Sequence, residues 1–360
     1  MLFVDIEKCI GDFNLKVCFE TESNTLSLLG ASGSGKSMTL KCIAGIERPD
    51  KGKIVLNDRV LFDSEHGINL PPQKRKIGYL FQEYALFPNM SVRQNIEVAL
   101  HHLPKEERAI AVSNKLEEFK LKGLENKKPY ELSGGEKQRT ALARIMASNP
   151  EVLILDEPFS ALDRYLKWQL LMEVKNTLSD FGKPVIFVTH DIDEVLAISD
   201  TICVLNDGVS QKTRAVKAAI ERPESFSEAR LFGCKNFSKV ECSLIEDANQ
   251  NDLSKEQLIM CTDWKTNLKV KSANKICGNA FVAGIFSNDI EIKSSDCNGE
   301  NLIDCTVTQI IMASSGQSAT LRVNDTDCLL DVTLLANCGV SIGDRVKAYI
   351  DPEKLLILEE

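Results

Sequence analysis

A glycine-rich segment near the N-terminus constrains the fold of this chain more than any other feature. It matches the pattern G-x-x-x-x-G-K-[ST] and reads Gly30-Ala31-Ser32-Gly33-Ser34-Gly35-Lys36-Ser37. Residues 26–29 predict a strand before it, and residues 38–44 predict a helix after it. Such a loop points backbone N–H groups at phosphate oxygens, and the helix N-terminus adds partial positive charge. We therefore expect an α/β nucleotide-binding fold in which Lys36 neutralises the β- and γ-phosphates and the Ser37 hydroxyl binds Mg²⁺.

A second motif supplies carboxylates that complement this loop. Four apolar residues at 152–155 precede Asp156 and Glu157, which is typical of a central parallel strand whose carboxyl end opens at the ligand crevice. Asp156 is placed to complete the Mg²⁺ shell begun by Ser37. Glu157 is the candidate general base that polarises an attacking water. The pair indicates hydrolysis of the bound nucleotide.

A third motif predicts a second anion site, in the segment Leu132-Ser133-Gly134-Gly135-Glu136-Lys137-Gln138-Arg139. Ser133 and Glu136 have capping-box spacing at the start of a predicted helix. Gly134 and Gly135 leave backbone amides accessible at the positive helix end. Either both phosphate-binding helix starts face one nucleotide within the fold, or two copies of the chain share it.

Charge and hydropathy exclude several classes of protein. The 360 residues carry a formal net charge of −9 and a pI of about 5.2, which argues against a general nucleic-acid binder. No apolar run reaches the roughly 18 residues that a membrane span requires, and residues 1–5 lack the basic start of a leader. We expect a cytoplasmic chain whose membrane association depends on a partner.

The chain contains 12 cysteines. They are scattered without a C-x-x-C pair or histidines at ligand spacing, so a zinc site is not expected. Reduced, mostly buried thiols are the expected state in a cytosolic chain. A redox or metal role for the cysteines after residue 230 stays open.

The order of predicted elements indicates two domains with a boundary near Arg222-Pro223-Glu224. The first, at 1–230, alternates strands and helices around a central, mainly parallel sheet. It contains a helical subdomain at about 83–140, with a helix at 105–118. The second, at 231–360, is β-rich and predicts a small antiparallel sandwich or barrel. The strands predicted with most support are 26–29, 152–155, 185–188, 201–205, 305–311, 319–323, 328–332, 345–350 and 355–358.

Residues 1–230 resemble the ATP-binding subunit of an ABC transporter. The phosphate loop, the L-S-G-G-E-K-Q-R segment and the L-I-L-D-E-P run occur in that family's order. Gln82 resembles the family's Q-loop, Ser160-Ala161-Leu162-Asp163 its D-loop, and His190 its switch histidine. Asp191 and Glu194, by contrast, have the spacing of an N-cap and N3 in the next helix.

The resemblance implies ATP and Mg²⁺ as ligands and a head-to-tail homodimer that holds two ATP molecules between its subunits. Lys36 of one copy would face Ser133 and Gly135 of the other, and His190 would contact the γ-phosphate. Implied catalytic residues are Lys36, Glu157 and His190, and implied Mg²⁺ contacts are Ser37, Gln82 and Asp156. Implied nucleotide contacts are Gly30, Ala31, Ser32, Gly33, Ser34, Gly35, Lys36, Ser37, Met38, Gln82, Ser133, Gly134, Gly135 and Asp156.

The family usually stacks adenine on an aromatic residue near the first strands. The matching position here is Ile10, and Phe13 lies close to it in the sequence. Phe13 either takes over the stacking or faces the core.

The resemblance also implies a transport role on the cytoplasmic face of the cell membrane, with integral permease subunits and an extracytoplasmic substrate-binding protein as partners and without nucleic acid. Segments at 71–78, 85–92 and 231–236 resemble the molybdate and sulfate importer group. The segment at about 300–360 resembles the OB-like, oxyanion-binding fold (TOBE/MOP type) often appended there as an accessory or regulatory domain. Molybdate is therefore the expected cargo, with sulfate, thiosulfate or another small solute as alternatives.

Other ABC-type functions fit the sequence less well. A soluble ATPase of DNA repair would place a long coiled coil between its nucleotide motifs, but about 120 residues separate Lys36 from Asp156 without sustained heptads. A binding protein without turnover would be expected to lack Glu157 or an intact L-S-G-G segment. Both are present.

Overall fold

The computed structural model describes residues 1–22, 25–160, 164–242, 256–271, 281–313, 316–334 and 339–359. They form two compact units, Met1–Ala219 and Ile220–Glu360. The helices are α1 (Lys36–Ala44), α2 (Pro72–Arg75), α3 (Val92–Glu97), α4 (Lys105–Glu118), α5 (Gly134–Ala147), α6 (Arg164–Phe181), α7 (Ile192–Ile198), α8 (Val216–Glu221) and α9 (Phe226–Leu231). Within these ranges, no helix combines the length and apolar character needed to cross a membrane.

The first unit is built on a mixed sheet. Its strands are β1 (Leu2–Ile10), β2 (Phe13–Thr21), β3 (Thr25–Leu29), β4 (Lys51–Leu56), β5 (Arg59–Asp63), β6 (Ile68–Asn69), β7 (Ile77–Leu80), β8 (Val152–Asp156), β9 (Val185–Thr189), β10 (Thr201–Asn206), β11 (Val209–Ser210) and β12 (Arg214–Ala215). Five of them, in the order β10-β3-β9-β8-β7, are parallel. This confirms the predicted α/β class and the four strands expected in this unit.

The parallel strands are covered on both faces. Val152 and Ile154 of β8 pack with α1 in one core cluster, while Leu153 and Leu155 pack with α3, α4, α5 and α6 in another. Alternate residues of a strand point to opposite faces, so a strand buried on both sides requires a continuous apolar run. The apolar run at 152–155 follows from this requirement.

The helices begin and end at the predicted signals. Helix α1 ends at Gly45, whose φ of 79° is readily adopted only without a side chain. Helix α5 begins with a capping box between Ser133 and Glu136, and α4 spans the predicted residues 105–118. The helical region between β7 and β8 therefore has the predicted content.

The second unit is all-β apart from α9 and the part of α8 that it includes. One antiparallel sheet has the order β15-β14-β13-β16-β22 and the other β17-β21-β18-β19-β20. Their strands are β13 (Asn236–Cys242), β14 (Glu256–Cys261), β15 (Thr266–Lys271), β16 (Phe281–Ile285), β17 (Ile290–Ser294), β18 (Leu302–Ala313), β19 (Gly316–Val323), β20 (Leu329–Leu334), β21 (Arg345–Ile350) and β22 (Leu356–Glu359). The five predicted strands are present, but β22 joins the first sheet and the other four join the second.

The division between the two compact units falls between Ala219 and Ile220, within a few residues of Arg222-Pro223-Glu224 and about ten residues before the predicted end of the first domain at 230. The assignment of 231–360 as an accessory or regulatory domain stays a prediction.

Most described cysteines are buried. Cys42, Cys203, Cys234, Cys261 and Cys305 lie in the interior, and Cys9 and Cys18 are exposed. Burial raises the pKa of Cys42 to about 11 and that of Cys234 to about 12. Among the described residues, no cluster of three or more histidine, cysteine or acidic side chains has a metal-binding arrangement.

Candidate nucleotide site

The predicted site residues follow the carboxyl ends of neighbouring parallel strands. In the order β3-β9-β8-β7, Leu29 pairs with Thr189, Asp156 with Val188, and Leu80 with Leu155. The residues that come next in the chain are the phosphate loop, His190, Glu157 and, two residues after β7, Gln82. Ligands of open α/β sheets bind at this edge, so the topology brings four separate motifs to one place.

The phosphate loop is tightly packed at both ends. A Cβ added to Gly30 would lie 2.4 Å from the Leu205 carbonyl oxygen, so only glycine fits there. Gly35 has a φ of 102° and directly precedes α1. Lys36, only 7% exposed, donates hydrogen bonds from Nζ to the carbonyl oxygens of Gly30 and Ala31 at 2.7 and 2.8 Å. These contacts close the loop around its own lysine.

Two buried groups in the loop fit a phosphate ligand. Burial lowers the pKa of Lys36, only partly offset by the carboxylates of Glu157 and Asp156, so an additional anion would stabilise the ammonium. The Ser34 hydroxyl is buried without a hydrogen-bond partner in the described structure. A phosphate oxygen can accept from both.

Asp156 lies between two hydroxyl groups. Ser37 Oγ donates to its Oδ1 at 3.4 Å, and the Tyr79 phenol donates to its Oδ2 at 2.9 Å. Burial raises the pKa of Asp156, and both hydroxyls oppose that rise. A desolvated carboxylate beside a hydroxyl is an oxygen donor set of the kind that Mg²⁺ prefers, so Ser37 and Asp156 fit the predicted metal.

Glu157 has a strained backbone. Its φ is +44°, in the left-handed region that a residue with a side chain seldom adopts, and its N–H donates to Val188 O of β9 at 3.0 Å. His190 Nδ1 lies 3.7 Å from Glu157 Oε2, and the histidine side chain is 66% exposed. Strain of this kind concentrates at functional sites. The structure thus brings the candidate base and the candidate sensor together.

Gln82 lies near the same edge of the sheet, and its side chain contacts Ser160. Its Nε2 donates to Ser160 Oγ at 3.3 Å, and Ser160 Oγ donates to Glu157 O at 3.0 Å. A Mg²⁺ contact of Gln82 therefore stays a prediction. The rest of the predicted D-loop, Ala161, Leu162 and Asp163, lies outside the described residues.

The segment predicted to be the second anion site lies at the start of α5. Ser133 is exposed, and its Oγ and N–H both donate to Glu136 Oε2, at 2.9 and 2.7 Å. These hydrogen bonds lower the pKa of Glu136. Within the described ranges, no hydrogen bond or ion pair links Ser133, Gly134 or Gly135 to the phosphate loop. The two predicted anion sites are not joined by a direct contact within this copy of the chain.

The predicted adenine contacts differ in exposure. Ile10 is 45% exposed at the end of β1, and it pairs with Phe13 across the turn to β2. Phe13 packs against a core cluster, and a Cβ on Gly35 would lie 3.2 Å from its ring. The ring therefore contacts both the core and the end of the phosphate loop.

Asp191 caps α7 as predicted, because its Oδ1 accepts from Asp193 N at 2.9 Å. Glu194 is buried, and its carboxylate accepts a hydrogen bond from the Thr189 hydroxyl and pairs with Lys167. Both acids have structural roles here.

Sequence reasoning missed two residues that support the site. Tyr79, the second-last residue of β7, donates a hydrogen bond to Asp156 on β8. Arg75 is fully buried and donates from Nη1 to the carbonyls of Cys42 and Ile43 at the C-terminus of α1. An arginine after Pro71-Pro72 carries no local signal for burial, so its role is visible only in three dimensions.

A family model described as ABC transporter matches residues 14–160. The chain is 30% identical to the molybdenum import ATP-binding protein ModC of Rhizobium etli, covering 92% of this chain and 91% of the relative. The chain belongs to the ABC transporter family. Other members also match: the trehalose/maltose import ATP-binding protein MalK of Thermococcus litoralis is 33% identical (99% of this chain, 96% of the relative), and the spermidine/putrescine import ATP-binding protein PotA of Rubrobacter xylanophilus is 34% identical (89% and 83%).

Some ABC relatives match only in part. The ModC proteins of Paramagnetospirillum magneticum and Rhodospirillum rubrum are 40% and 36% identical, over 58% and 67% of this chain, and the chain spans 57% and 65% of their lengths. Among solved structures, the ATP-binding cassette MJ0796 in a dimeric post-hydrolysis state bound to ADP and Pi is 28% identical. It superimposes with a TM-score of 0.51, covering 60% of this chain and 99% of that one.

Proposed function

We propose that this chain is the ATP-hydrolysing, energy-coupling subunit of an ABC importer. The convergence of the phosphate loop, Asp156, Glu157 and His190 at the ends of adjacent parallel strands carries this proposal. Phosphoryl transfer to water depends mainly on the positioning of the reacting groups and on neutralisation of the phosphate charge. The residues at this edge of the sheet can supply both.

Each residue has a role that follows from its contacts. Lys36 and the loop amides bind the phosphates, and Ser37 and Asp156 hold Mg²⁺, which neutralises charge on the phosphates when bound. Glu157 orients the attacking water and accepts its proton. His190, exposed and close to Glu157, contacts the γ-phosphate and reports its presence.

The active form is a homodimer in which each ATP lies between two chains. Ser133, Gly134 and Gly135 of one copy complete the site that Lys36 begins in the other. In this arrangement the second anion site binds the phosphates of the ATP held by the partner copy, whereas among the described residues no hydrogen bond or ion pair joins it to the phosphate loop of its own chain. ATP binding closes the dimer, and hydrolysis reopens it.

Molybdate is the cargo that we propose, delivered by a substrate-binding protein and moved by integral permease subunits while this chain lies on the cytoplasmic face. Support comes from the ModC relative that matches over most of its length and from the sequence segments of the molybdate and sulfate group. The MalK and PotA relatives match at similar identity. Sulfate or another small solute is therefore the alternative that a transport assay must test.

The hydrolysis role is tested with Glu157→Gln, which keeps the side-chain shape and removes the base. We expect ATP binding to be retained and hydrolysis by the purified protein to fall by about 100-fold or more. Glu107→Gln, an exposed change on α4, is the matched control and should hydrolyse ATP normally. Wild-type turnover by the Glu157 variant would remove this residue from the role of base.

The cargo is tested by uptake in cells that lack the gene for this chain. Complementation with the wild-type chain should restore accumulation of labelled molybdate, and complementation with Glu157→Gln should not. Labelled sulfate, spermidine and maltose are measured in parallel. Restoration of one of these solutes without molybdate would reassign the cargo and leave the ATPase role intact.

A further inference from the structure

The turn directly after β7 contains Gln82 and has a strained backbone. Tyr84 and Ala85 have φ values of 61° and 45°, in the left-handed region that residues with a side chain seldom adopt. Two such residues in succession are unfavourable for L-amino acids. Strain of this kind persists only where the surrounding structure holds it, and it concentrates at functional sites. The turn therefore needs neighbouring groups that fix its conformation.

Arg144 of α5 holds the two strained residues. Its Nη1 donates to the Ala85 carbonyl oxygen at 2.8 Å, and its Nη2 donates to that of Tyr84 at 3.2 Å. The centre of the guanidinium lies 5.3 Å from the centroid of the Phe87 ring, which is within the range of a cation–π contact. In the part of the chain that the structure describes, no other donor bonds to either carbonyl oxygen. The planar guanidinium presents its donors in a rigid fork, so it fixes the direction of two successive carbonyl groups.

The turn is anchored on both sides of Gln82. The Tyr84 N–H donates to Phe81 O at 2.8 Å and closes the turn around Gln82. The Phe81 ring stacks on the ring of Tyr79 in β7, with their centroids 4.2 Å apart. Gln82 is thus held between a stacked ring on its N-terminal side and the Arg144 guanidinium on its C-terminal side.

The position of Gln82 affects the segment that carries the candidate base. Gln82 Nε2 donates to Ser160 Oγ at 3.3 Å, and Ser160 Oγ donates to Glu157 O at 3.0 Å. The first of these hydrogen bonds is already long, so a small shift of the turn would break it. A displacement of about 1 Å near a reacting group can lower a reaction rate by about 100-fold.

We propose that Arg144 is a positioning residue for ATP hydrolysis. It holds Tyr84 and Ala85 in the left-handed region, and the turn that results places the Gln82 side chain against Ser160. This inference rests on the proposed function, because it assigns a role within the same site. Without the guanidinium, the two strained residues relax and the turn opens. The phosphate loop is not part of this turn, so the loss affects turnover more than ATP affinity.

The first test measures the turn itself and does not depend on ATP hydrolysis. Arg144→Met removes the guanidinium, and Ala85→Gly relieves the strain because glycine adopts positive φ readily. Backbone hydrogen exchange is followed by mass spectrometry on peptides that cover residues 81–87 of the full-length chain. We expect exchange of the Tyr84 amide to rise about tenfold in Arg144→Met and to return toward the wild-type rate in the double variant. Unchanged exchange in Arg144→Met, or no recovery in the double variant, would overturn the proposal.

The second test connects the turn to turnover through a double-mutant cycle. Arg144→Met should lower kcat by about tenfold or more and leave KM for ATP within about twofold of the wild type. Since Arg144 acts through Gln82, adding Arg144→Met to Gln82→Ala should lower kcat little further. Arg93→Met, at a half-buried arginine of α3, is the control and should keep the wild-type kcat. Independent losses that multiply in the double variant would show a merely structural role and reject the proposal.

A cooperative melting curve shows whether each variant folds. If Arg144→Met does not fold, Arg144→Lys replaces it in both tests, because lysine keeps the charge but lacks the planar fork. It should change both readouts in the same direction. Normal turnover by the Arg144 variant beside an inactive Glu157→Gln would reject only the role of Arg144. A wild type without ATPase activity would reject the proposed function, and the exchange rates would still decide whether Arg144 holds the turn.

Discussion

The Tyr79 phenol donates a hydrogen bond to Asp156 Oδ2 at 2.9 Å. The two residues come from neighbouring parallel strands, β7 and β8. Burial keeps the phenol protonated, because it raises the pKa of Tyr79. The phenol is therefore a permanent donor that favours the ionised form of Asp156 against the effect of burial.

Replacing Tyr79 with phenylalanine should shift the acid side of the ATPase pH profile. Loss of the donor raises the pKa of Asp156 further, so a larger share of the carboxyl is protonated and unable to bind Mg²⁺ at low pH. We expect activity to fall at a higher pH than in the wild type, with the difference shrinking at alkaline pH. The measurement is the ATPase rate against pH at fixed Mg²⁺. Tyr130→Phe, at a side chain that is 73% exposed, serves as the control, and coincident profiles for Tyr79→Phe and wild type would contradict the argument.

Asp156→Asn should make the protein more stable and inactive. Since burial raises the pKa of Asp156, the ionised carboxylate destabilises the fold above that pKa and has no such effect once it is protonated. The stability gain of the variant should therefore appear at neutral pH and disappear in acid. Each 1 kcal/mol gained corresponds to about 2–4 °C in Tm for a domain of this size. Thermal melts without added nucleotide, at neutral and acidic pH, provide the check, and a lower Tm at neutral pH would count against it.

Arg75→Met should destabilise the first unit. Although burial lowers the pKa of Arg75 to about 10, the guanidinium remains charged at neutral pH and satisfies carbonyls at the end of α1. Leaving buried carbonyls without donors costs about 1–3 kcal/mol for each group. We expect a loss of about 2–4 kcal/mol in the free energy of unfolding. The measurement is urea denaturation, with the exposed Arg48→Met as the matched control, and equal losses in the two variants would disprove a special role for Arg75.

Thiol labelling should separate the described cysteines by burial. Cys9 is exposed, whereas Cys42, Cys234, Cys261 and Cys305 are buried and have raised pKa values. The thiolate is the reactive form, so N-ethylmaleimide at neutral pH should modify Cys9 quickly and the buried group slowly. Peptide mass spectrometry after timed quenching gives the rates. Rapid labelling of the buried group in the folded protein would contradict this assignment.

Local patterns predicted the parts of the fold that depend on local physics. The run at 152–155 predicted β8 because a strand buried on both faces needs consecutive apolar residues. Gly45 and the Ser133–Glu136 pair predicted helix ends because capping is decided within one turn. The phosphate loop and His190 each follow a strand and Asp156 ends one, and these three strands end at the same edge of the sheet.

Features that depend on distant residues were missed. The β1–β2 hairpin was also missed, although its signal is local: an alternating apolar pattern is followed by Gly11-Asp12. The contact of Tyr79 with Asp156 depends on the pairing of strands 77 residues apart in sequence. Likewise, the division of the C-terminal strands between two sheets and the burial of Gln138 follow from tertiary packing, which periodicity does not reveal.

The bonds from Lys36 to Gly30 and Ala31 have a consequence for how quickly and selectively the loop can capture its ligand. If the loop binds ATP as proposed, an arriving triphosphate would compete with two carbonyl groups for the same ammonium, and a weakly charged compound would gain little by displacing them. The backbone already holds its curved shape, which spares the entropy of ordering it during capture. Under that proposal, the lysine's existing partners would favour ligands of high negative charge.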